Sequence, residues 1–293
     1  MFPFNNSDIL FINKINPDSI RNTLELVKDI RQNNKAKIMK YTGRVAFVAG
    51  GTGIVGSGFV RSLLQEGAKV AVSSRSQQRL DDLRQSFSSD LQKNLILIAE
   101  DVGKEEGAKK ILKILQEKHG GVHHVLSAFG GWWMGGPLTD QSVEDFDKHI
   151  DERAKSHFIC CKTFLPVLAK QKGTTYTFIT GIAVEGVFHP DISLLAVGNF
   201  ALVGISSCAL VQYKDSNVAV NEVRIGIFVK PKLDKDLPSK TMEFTPGNEM
   251  EVIGHDIIGN FLVDLNKTGY RGLVRLTSRK DIEAQHKELQ KKL

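Results

Sequence analysis

From residue 44 onward, short runs of almost continuously apolar residues alternate with longer segments in which apolar residues recur every three or four positions. The short runs predict β-strands buried on both faces, because a half-exposed strand would alternate polar and apolar residues. These runs span residues 44–50, 69–74, 94–100, 123–128, 174–180, 217–224 and 272–277. The segments with helical spacing span residues 55–65, 77–86, 105–118, 143–172, 192–213 and 250–265. This alternation predicts an α/β fold, a doubly wound parallel sheet of about seven strands with helices on both faces.

Two end segments lie outside the alternation of strands and helices. Residues 1–40 are predicted to form an N-terminal helical extension, since Pro17-Asp18-Ser19 precedes a segment with apolar residues at helical spacing. Residues 41–280 form the predicted α/β domain. The charged residues 281–293 are predicted to form a helical tail whose lysines face solvent.

A glycine-rich turn joins the first predicted strand to the first predicted helix. Glycines let backbone N–H groups approach a phosphate closely, and the N-terminus of the next helix adds a positive dipole. A second strand follows the helix, and this context favours a dinucleotide site over an ordinary strand-to-helix turn. The residues predicted to hold the pyrophosphate are Gly50, Thr52, Gly53, Ile54, Val55 and Gly56.

The composition, with 41% hydrophobic and 25% charged residues, is typical of a globular protein. The net charge of +6 would suit a polyanion, but Lys and Arg are spread along amphipathic helices, so no nucleic-acid partner is expected. The uncharged stretch 192–213 approaches membrane-spanning length, and its place in the series predicts a buried or interface helix and no membrane contact. Cys160, Cys161 and Cys208 lack metal-ligand spacing and are expected to be buried thiols without a metal. These thiols, and the lack of a secretory pattern, predict a cytoplasmic protein.

Several motifs in order make residues 41–279 resemble the short-chain dehydrogenase/reductase family, whose members have a Rossmann-type fold and bind NAD or NADP. The resemblance implies that the cofactor also contacts Ser74, Arg75, Asp101, Val102, Ser127, Ala128 and Gly130. The chain departs from the family pattern at Ile54, which replaces the middle glycine of the turn. NAD-dependent members carry a carboxylate after the second strand, whereas Arg75 suits the 2′-phosphate of NADP(H), the expected cofactor. The alternative is that Arg75 is an ordinary surface residue.

The catalytic residues of the family are replaced in this chain. In the family, a tyrosine exchanges a proton with the substrate oxygen, and a lysine one helical turn later lowers the pKa of that tyrosine and holds the nicotinamide ribose. Here Leu195 occupies the tyrosine position and Asn199 the lysine position. The serine position falls on Gly181, beside Thr180, and Arg153 stands where the family has a helix asparagine.

We interpret two of these changes as reciprocal, so that the cation of the site has moved from residue 199 to Arg153. Arg153 would then hold the cofactor ribose or a substrate carboxylate, with Asn199 as its neutral partner. The alternative is drift in a site that no longer catalyses. Thr180 and Arg153 are the candidate catalytic residues, and Arg153 and Asn199 are also candidate cofactor contacts.

Other groups are expected to be structural. Tyr176 packs within a strand, and His189 and Asp191 belong to a turn expected to cap a helix. Thr180 is well placed, but its hydroxyl cannot donate a proton unaided. The Trp-Trp-Met run at 132–134 follows the fourth strand, where it either lines a site for an apolar or planar ligand or packs within a long loop.

The sequence therefore predicts an NADP(H)-dependent oxidoreductase of a carbonyl or alkene substrate, a small molecule of apolar or aromatic character, with an atypical proton source. One alternative is a catalytically silent, cofactor-binding regulator or partner subunit, and another is a non-redox cyclase or isomerase on the same fold. By resemblance, the helices that contain Cys160 and residues 192–213 are oligomer faces, which predicts a homodimer or homotetramer.

Overall fold

The computed structural model of the protein describes residues 41–231, 241–245 and 248–293, so the extension predicted for residues 1–40 lies outside the described residues. The described strands are β1 (Val45–Ala49), β2 (Lys69–Ser73), β3 (Leu95–Ile98), β4 (His124–Ser127), β5 (Thr174–Gly181), β6 (Val218–Ile225), β7 (Phe228–Lys230), β8 (Thr241–Thr245), β9 (Asn248–Gly254) and β10 (Gly272–Leu276). The described helices are α1 (Ile54–Gln65), α2 (Gln77–Gln85), α3 (Ser89–Gln92), α4 (Glu105–His119), α5 (Val143–His149), α6 (Ser156–Leu168), α7 (Ser193–Gln212), α8 (His255–Lys267) and α9 (Arg279–Gln290).

Seven strands form one parallel sheet in the order β3-β2-β1-β4-β5-β6-β10. Helices α1, α8 and α9 pack on one face, and α4, α6 and α7 pack on the other. The predicted doubly wound parallel sheet of about seven strands is therefore confirmed. The strand order reverses between β1 and β4, and in such sheets the ligand crevice lies at the carboxyl ends of the strands beside this reversal.

The register of the sheet brings the predicted cofactor residues to one edge. Ala49 of β1 pairs with Ser73 of β2 on one side and with Ser127 of β4 on the other. All five residues of β1 are buried, which fixes this strand at the centre of the sheet. The glycine turn, Arg75 and the segment that begins at Ala128 therefore leave the sheet at the same level.

The helix predicted for residues 250–265 is wrong at its start. Residues up to Gly254 belong to β9, which pairs with β7 and β8 in a second sheet of three strands. Val252 and Ile253 are buried, and Gly254 has an extended conformation before α8 begins at His255. A short apolar run fits both strand and helix, so its periodicity could not decide between them.

The long helix predicted for residues 143–172 is interrupted and ends earlier. Helix α5 leads into a π-helical turn at Ile150–Lys155, and α6 then runs only to Leu168. A π-helical turn inserts an extra residue into the helical repeat and is common at functional sites. This turn contains Arg153.

Helix α7 has the length and apolar composition of a membrane-spanning helix. Its buried face, which includes Leu202, packs on the sheet in the crossover from β5 to β6, as the sequence predicted. Cys160 and Cys161 are buried, but the prediction is wrong for Cys208, which is exposed because it lies on the outer face of α7.

The predicted charged tail forms helix α9. Its lysines at positions 287 and 291 are exposed, as predicted. The opposite face buries Ile282 and Leu289 in the same core as α1 and α8. The helix therefore also contributes apolar side chains to the interior.

Candidate cofactor-binding and catalytic site

The glycine turn at the carboxyl end of β1 packs closely on its own backbone and on the segment after β4. Gly50 has a φ of +83°, and a Cβ atom there would lie 2.3 Å from the carbonyl oxygen of Ala128. A Cβ atom on Gly56 would lie 2.3 Å from the carbonyl oxygen of Gly50. No side chain caps the N-terminus of α1 at Gly53, so its first N–H groups are available to an anion. The residues present therefore fit a dinucleotide pyrophosphate, and the half-buried Thr52 lies in the same turn.

The adenosine end of the crevice is predicted at the carboxyl ends of β2 and β3. The Ser74 hydroxyl accepts a hydrogen bond from the backbone N–H of Ser76 at 3.1 Å, which shapes the turn. Arg75 is exposed and makes no hydrogen bond or ion pair within the described part of the chain. Its guanidinium is therefore available to a 2′-phosphate. Asp101 accepts from the N–H of Gly103 at 3.0 Å, whereas Val102 is buried in the core.

The segment after β4 is held by a histidine that the sequence analysis did not select. The His157 Nε2 atom accepts a hydrogen bond from the N–H of Phe129 at 3.3 Å, so its Nδ1–H donates to the Ser127 hydroxyl at 2.9 Å. Burial lowers the pKa of His157 to about 3, so the ring is neutral near pH 7. His157 therefore positions Ser127 and the backbone that leads to Gly130.

Arg153 lies between the segment after β4 and helix α7. A Cβ atom on Gly130 would lie 2.5 Å from Arg153 Nη1, and one on Gly198 would lie 2.5 Å from Arg153 Cδ, so both glycines make room for this side chain. Its Nη2 donates to the carbonyl oxygen of Gly131. Arg153 is 6% exposed, and burial lowers its pKa to about 10, partly offset by the charge of Glu152. Among the described residues, no carboxylate lies within ion-pair distance of it.

The residues at the family's tyrosine, lysine and serine positions lie together, but they do not form a proton-transfer group. Leu195 is buried in an apolar cluster with Ala183 and Ile192. The side chain of Asn199 is buried, and its Nδ2 would be only 3.2 Å from a Cβ atom on Gly181. The amide therefore occupies the space beside the position where the family carries its serine.

Thr180 is engaged by a buried carboxylate that the sequence analysis missed. Its hydroxyl donates to Glu222 at 2.9 Å, and Glu222 also accepts from Ser206 and from Arg224, both at 2.6 Å. Arg224 in turn contacts Glu185 at 2.9 Å. Burial opposes the charge of Arg224, but these two carboxylates raise its pKa overall. The Thr180 proton is thus directed at Glu222 and away from any substrate oxygen.

The other candidate proton sources are buried or hydrogen-bonded within the protein. Tyr176 is fully buried in β5, and desolvation raises its pKa well above the usual value. The His189 ring accepts from the N–H of Asp191 at 3.2 Å and lies 3.7 Å from its carboxylate. The expected helix cap is wrong, because no side chain caps α7 at Ile192. Instead, the Asp191 carbonyl oxygen accepts from two N–H groups of the loop that follows β4, those of residues 135 and 136.

The two tryptophans after β4 have different surroundings. Trp133 and Phe188 pack against the apolar cluster that contains Leu195, and the Trp133 ring lies 4.4 Å from the His149 ring, between centroids. His149 Nδ1 donates to the carbonyl oxygen of Asp145 at 2.8 Å. Trp132 is half-exposed. Trp133 therefore lines the crevice on the side where the family has its tyrosine.

One sequence signal could have found the two missed histidines on either side of Arg153. His149, Arg153 and His157 are spaced four residues apart, so they share one face of a helix. The Glu222 network had no such signal, because its members come from distant strands. Taken together, the site offers a glycine turn for phosphate and a buried guanidinium beside apolar walls. The described residues contain no cluster of three metal-ligating side chains.

Comparison of the sequence with known proteins identifies relatives of this chain. A sequence profile described as short chain dehydrogenase matches residues 44–241. "Dehydrogenase/reductase SDR family member 4" of Bos taurus is 29% identical over 184 residues, which cover 63% of this chain and 65% of that protein. The human protein of the same name is 27% identical and is covered over 66% of its length. The chain thus matches less than two thirds of the length of these relatives.

Solved structures share the fold at lower sequence identity. ElxO with NADP bound has a TM-score of 0.68 at 21% identity, over 81% of this chain and 98% of that chain. A short-chain dehydrogenase/reductase from Serratia marcescens has a TM-score of 0.66 at 20% identity, with the same coverage. At such identities the likeness establishes the fold alone.

Proposed function

The chain belongs to the short-chain dehydrogenase family, and we propose that it is an NADP(H)-dependent oxidoreductase with an atypical proton source. Its substrate in this proposal is a small molecule with a reducible carbonyl or alkene group. The observation that carries the proposal is the backbone of the glycine turn, where Cβ atoms on Gly50 and Gly56 would collide with neighbouring carbonyl groups. Such close backbone packing lets N–H groups approach a bound phosphate.

The choice of NADP(H) rests on Arg75. An exposed guanidinium at the end of β2, without a carboxylate partner in the described structure, complements a 2′-phosphate. The similar structure of ElxO was solved with NADP bound. Ser74 and Asp101 flank this end of the crevice and would contact the adenosine.

The residues around the reacting end can assist hydride transfer without a protein acid. The bound cofactor would supply the hydride. Arg153 would position the substrate by holding an anionic group of it, because a guanidinium binds an anion most strongly in a desolvated site. Leu195 cannot donate a proton, and the Thr180 proton is directed at Glu222. We therefore propose that the proton comes from solvent or from the substrate itself.

A catalytically silent, cofactor-binding regulator is the second candidate. It is favoured by the apolar cluster around Leu195 and by the buried amide of Asn199, which together remove the family's acid and its activating cation. The non-redox cyclase or isomerase has weaker support, namely the aromatic loop at Trp133 and the charge of Arg153.

Two measurements test the proposal in sequence. First, purified protein is titrated into NADPH and into NADH while the nicotinamide fluorescence is recorded, and NADPH is expected to bind more tightly. Second, NADPH oxidation is followed with panels of aldehydes, ketones and activated alkenes. Consumption of NADPH with any of them supports the oxidoreductase. Binding without consumption favours the silent regulator, and absence of binding contradicts both cofactor-based functions.

We also propose that the protein is a cytoplasmic homodimer or homotetramer. Phe158 on α6 and Phe200 on α7 are about half-exposed, and Val211 is more exposed still. Such exposed apolar side chains on adjacent helices favour association. Light scattering of the purified protein tests the assembly, and a monomer at micromolar concentration would contradict it.

A further inference from the structure

The charge of Arg153 has no counter-charge in the described structure. Its one hydrogen bond to protein goes to a neutral carbonyl oxygen, that of Gly131. By contrast, Arg224 and Lys267, whose side chains are only 12% and 14% exposed, each contact two carboxylates. A buried charge without a partner is costly, and a bound anion relieves that cost. The distribution of charge therefore indicates that the missing partner of Arg153 is a ligand.

An apolar wall lies one helical turn from this cation. Leu195 precedes Gly198, on which the Arg153 side chain rests, by three residues of α7. Trp133 packs against the same cluster as Leu195 and also contacts His149, which lies one turn before Arg153. The aromatic wall is thus connected to the Arg153 side chain through His149 on one side and through Gly198 on the other.

The geometry points to a substrate that carries a carboxylate on an apolar or aromatic body. We propose that the carboxylate binds Arg153 and that the body lies against Trp133 and Leu195. Nη2 is engaged with Gly131, but a guanidinium has five N–H donors, so enough remain to contact both oxygens of a carboxylate. This inference names the substrate class of the proposed oxidoreductase and therefore rests on that function, but the binding itself requires no turnover.

The competing explanation is that Arg153 only holds the loop after β4 through Gly131. In that case the site would not distinguish a carboxylate from a neutral isostere. A pair of probes that differ only in charge separates the two explanations, and trans-cinnamate with trans-cinnamamide provides such a pair. The chain's two tryptophans, Trp132 and Trp133, both lie in this loop, so tryptophan emission reports directly on its occupation.

The experiment measures the affinity of both probes for the full chain, with and without saturating NADP⁺. Wild-type protein is expected to bind cinnamate about tenfold or more tightly than cinnamamide, the size of one charge-assisted contact. Arg153→Gln retains a donor for Gly131 and should bring this ratio close to one. Lys155→Gln is the matched control, because Lys155 is an exposed cation in the same π-helical turn that pairs with Asp151. It should leave the ratio unchanged.

The outcomes are decisive even if one variant does not fold, because the wild-type ratio alone tests the preference for a carboxylate. Trp133→Ala should lower the affinity for both probes by the same factor, since it removes part of the apolar wall and leaves the cation. Equal affinities in wild-type protein, an unchanged ratio in Arg153→Gln, or no cinnamate binding at millimolar concentration would overturn the inference. The NADPH titration is independent of it. Failure of NADPH binding therefore refutes the proposed function, whereas NADPH binding without carboxylate preference refutes only the substrate class.

Discussion

Replacing Arg153 with methionine should not destabilise the protein, although it removes a buried side chain's hydrogen bond. The pKa of Arg153 is lowered to about 10 by burial, and this displacement from the ordinary guanidinium value corresponds to a penalty of about 3 kcal/mol on the charged form. Methionine has a similar length and no charge, so it relieves that penalty. It also loses the hydrogen bond to Gly131, which contributes about 1.5–3 kcal/mol as a bond from a charged donor. The free energy of unfolding at pH 7 should thus stay level or rise by up to about 2 kcal/mol.

Arg224→Met is the matched control, and its effect should have the opposite sign. Arg224 contacts Glu222, which is 1% exposed, and also Glu185. Its removal leaves a buried carboxylate without a cation and should lower the free energy of unfolding by about 3–5 kcal/mol. Urea denaturation of the wild type and both variants, followed by circular dichroism, measures these differences.

The pH dependence supplies a second check on the same variant. The pKa of Arg153 in the folded protein is about 10, so at lower pH the folded protein carries the full penalty of the protonated side chain. As the pH rises through 10, the folded protein loses this proton before the unfolded chain does, and the penalty fades. The stability of the wild type relative to Arg153→Met should therefore increase above pH 10. A loss of more than about 1 kcal/mol in Arg153→Met at pH 7 would refute the reasoning, because the guanidinium would then be a net stabilising group.

The remaining predictions concern the cofactor turn and the buried carboxylate network. Gly56→Ala should weaken NADPH binding about tenfold or more, because the added Cβ atom would lie 2.3 Å from a backbone oxygen. Gly204→Ala is the control, since no atom lies within 4 Å of a Cβ atom added there. This variant should bind NADPH normally and be about 0.5–1 kcal/mol more stable. Arg75→Glu should reverse the preference from NADPH to NADH in fluorescence titrations, because a carboxylate repels the 2′-phosphate and accepts from a ribose hydroxyl; an unchanged preference would place the 2′-phosphate elsewhere. Thr180→Val should lower the free energy of unfolding, measured by urea denaturation, by about 1–2 kcal/mol, because a buried carboxylate loses a hydrogen-bond donor. The affinity for NADPH should not change. A variant of unchanged stability with weakened NADPH binding would contradict this assignment.

The sequence correctly predicted the features that depend on residues close together in the chain. The strands around β1 are continuous apolar runs, and the glycine turn depends on residues adjacent in sequence, so both could be read from short windows. The positions of Leu195 and Asn199 followed from the family resemblance alone. Their environment did not, because the apolar cluster at Leu195 is completed by Trp133, which comes from a distant loop.

The missed features depend on contacts between distant segments. Glu222 binds a hydroxyl 42 residues earlier in the chain and another on α7, and nothing near it in sequence signals this network. The sequence predicts a helix where β9 lies, because the short apolar run has no decisive period and the pairing with β7 and β8 is not visible in it. The sequence predicts a buried Cys208 because α7 is apolar on nearly all sides, so composition does not show which face is exposed.

The contact between Asn199 and Gly181 also constrains how the site can change during evolution. A Cβ atom on residue 181 would lie 3.2 Å from the Asn199 amide, so a serine there would require the amide to shift by a few tenths of an ångström. A lysine at position 199 would in turn stand beside Gly198, on which the Arg153 side chain rests, and would meet a like charge. Positions 153, 199 and 181 are therefore coupled, and the effect of a substitution at one of them depends on the residues at the other two. Variants that combine substitutions at these positions should show non-additive changes in stability.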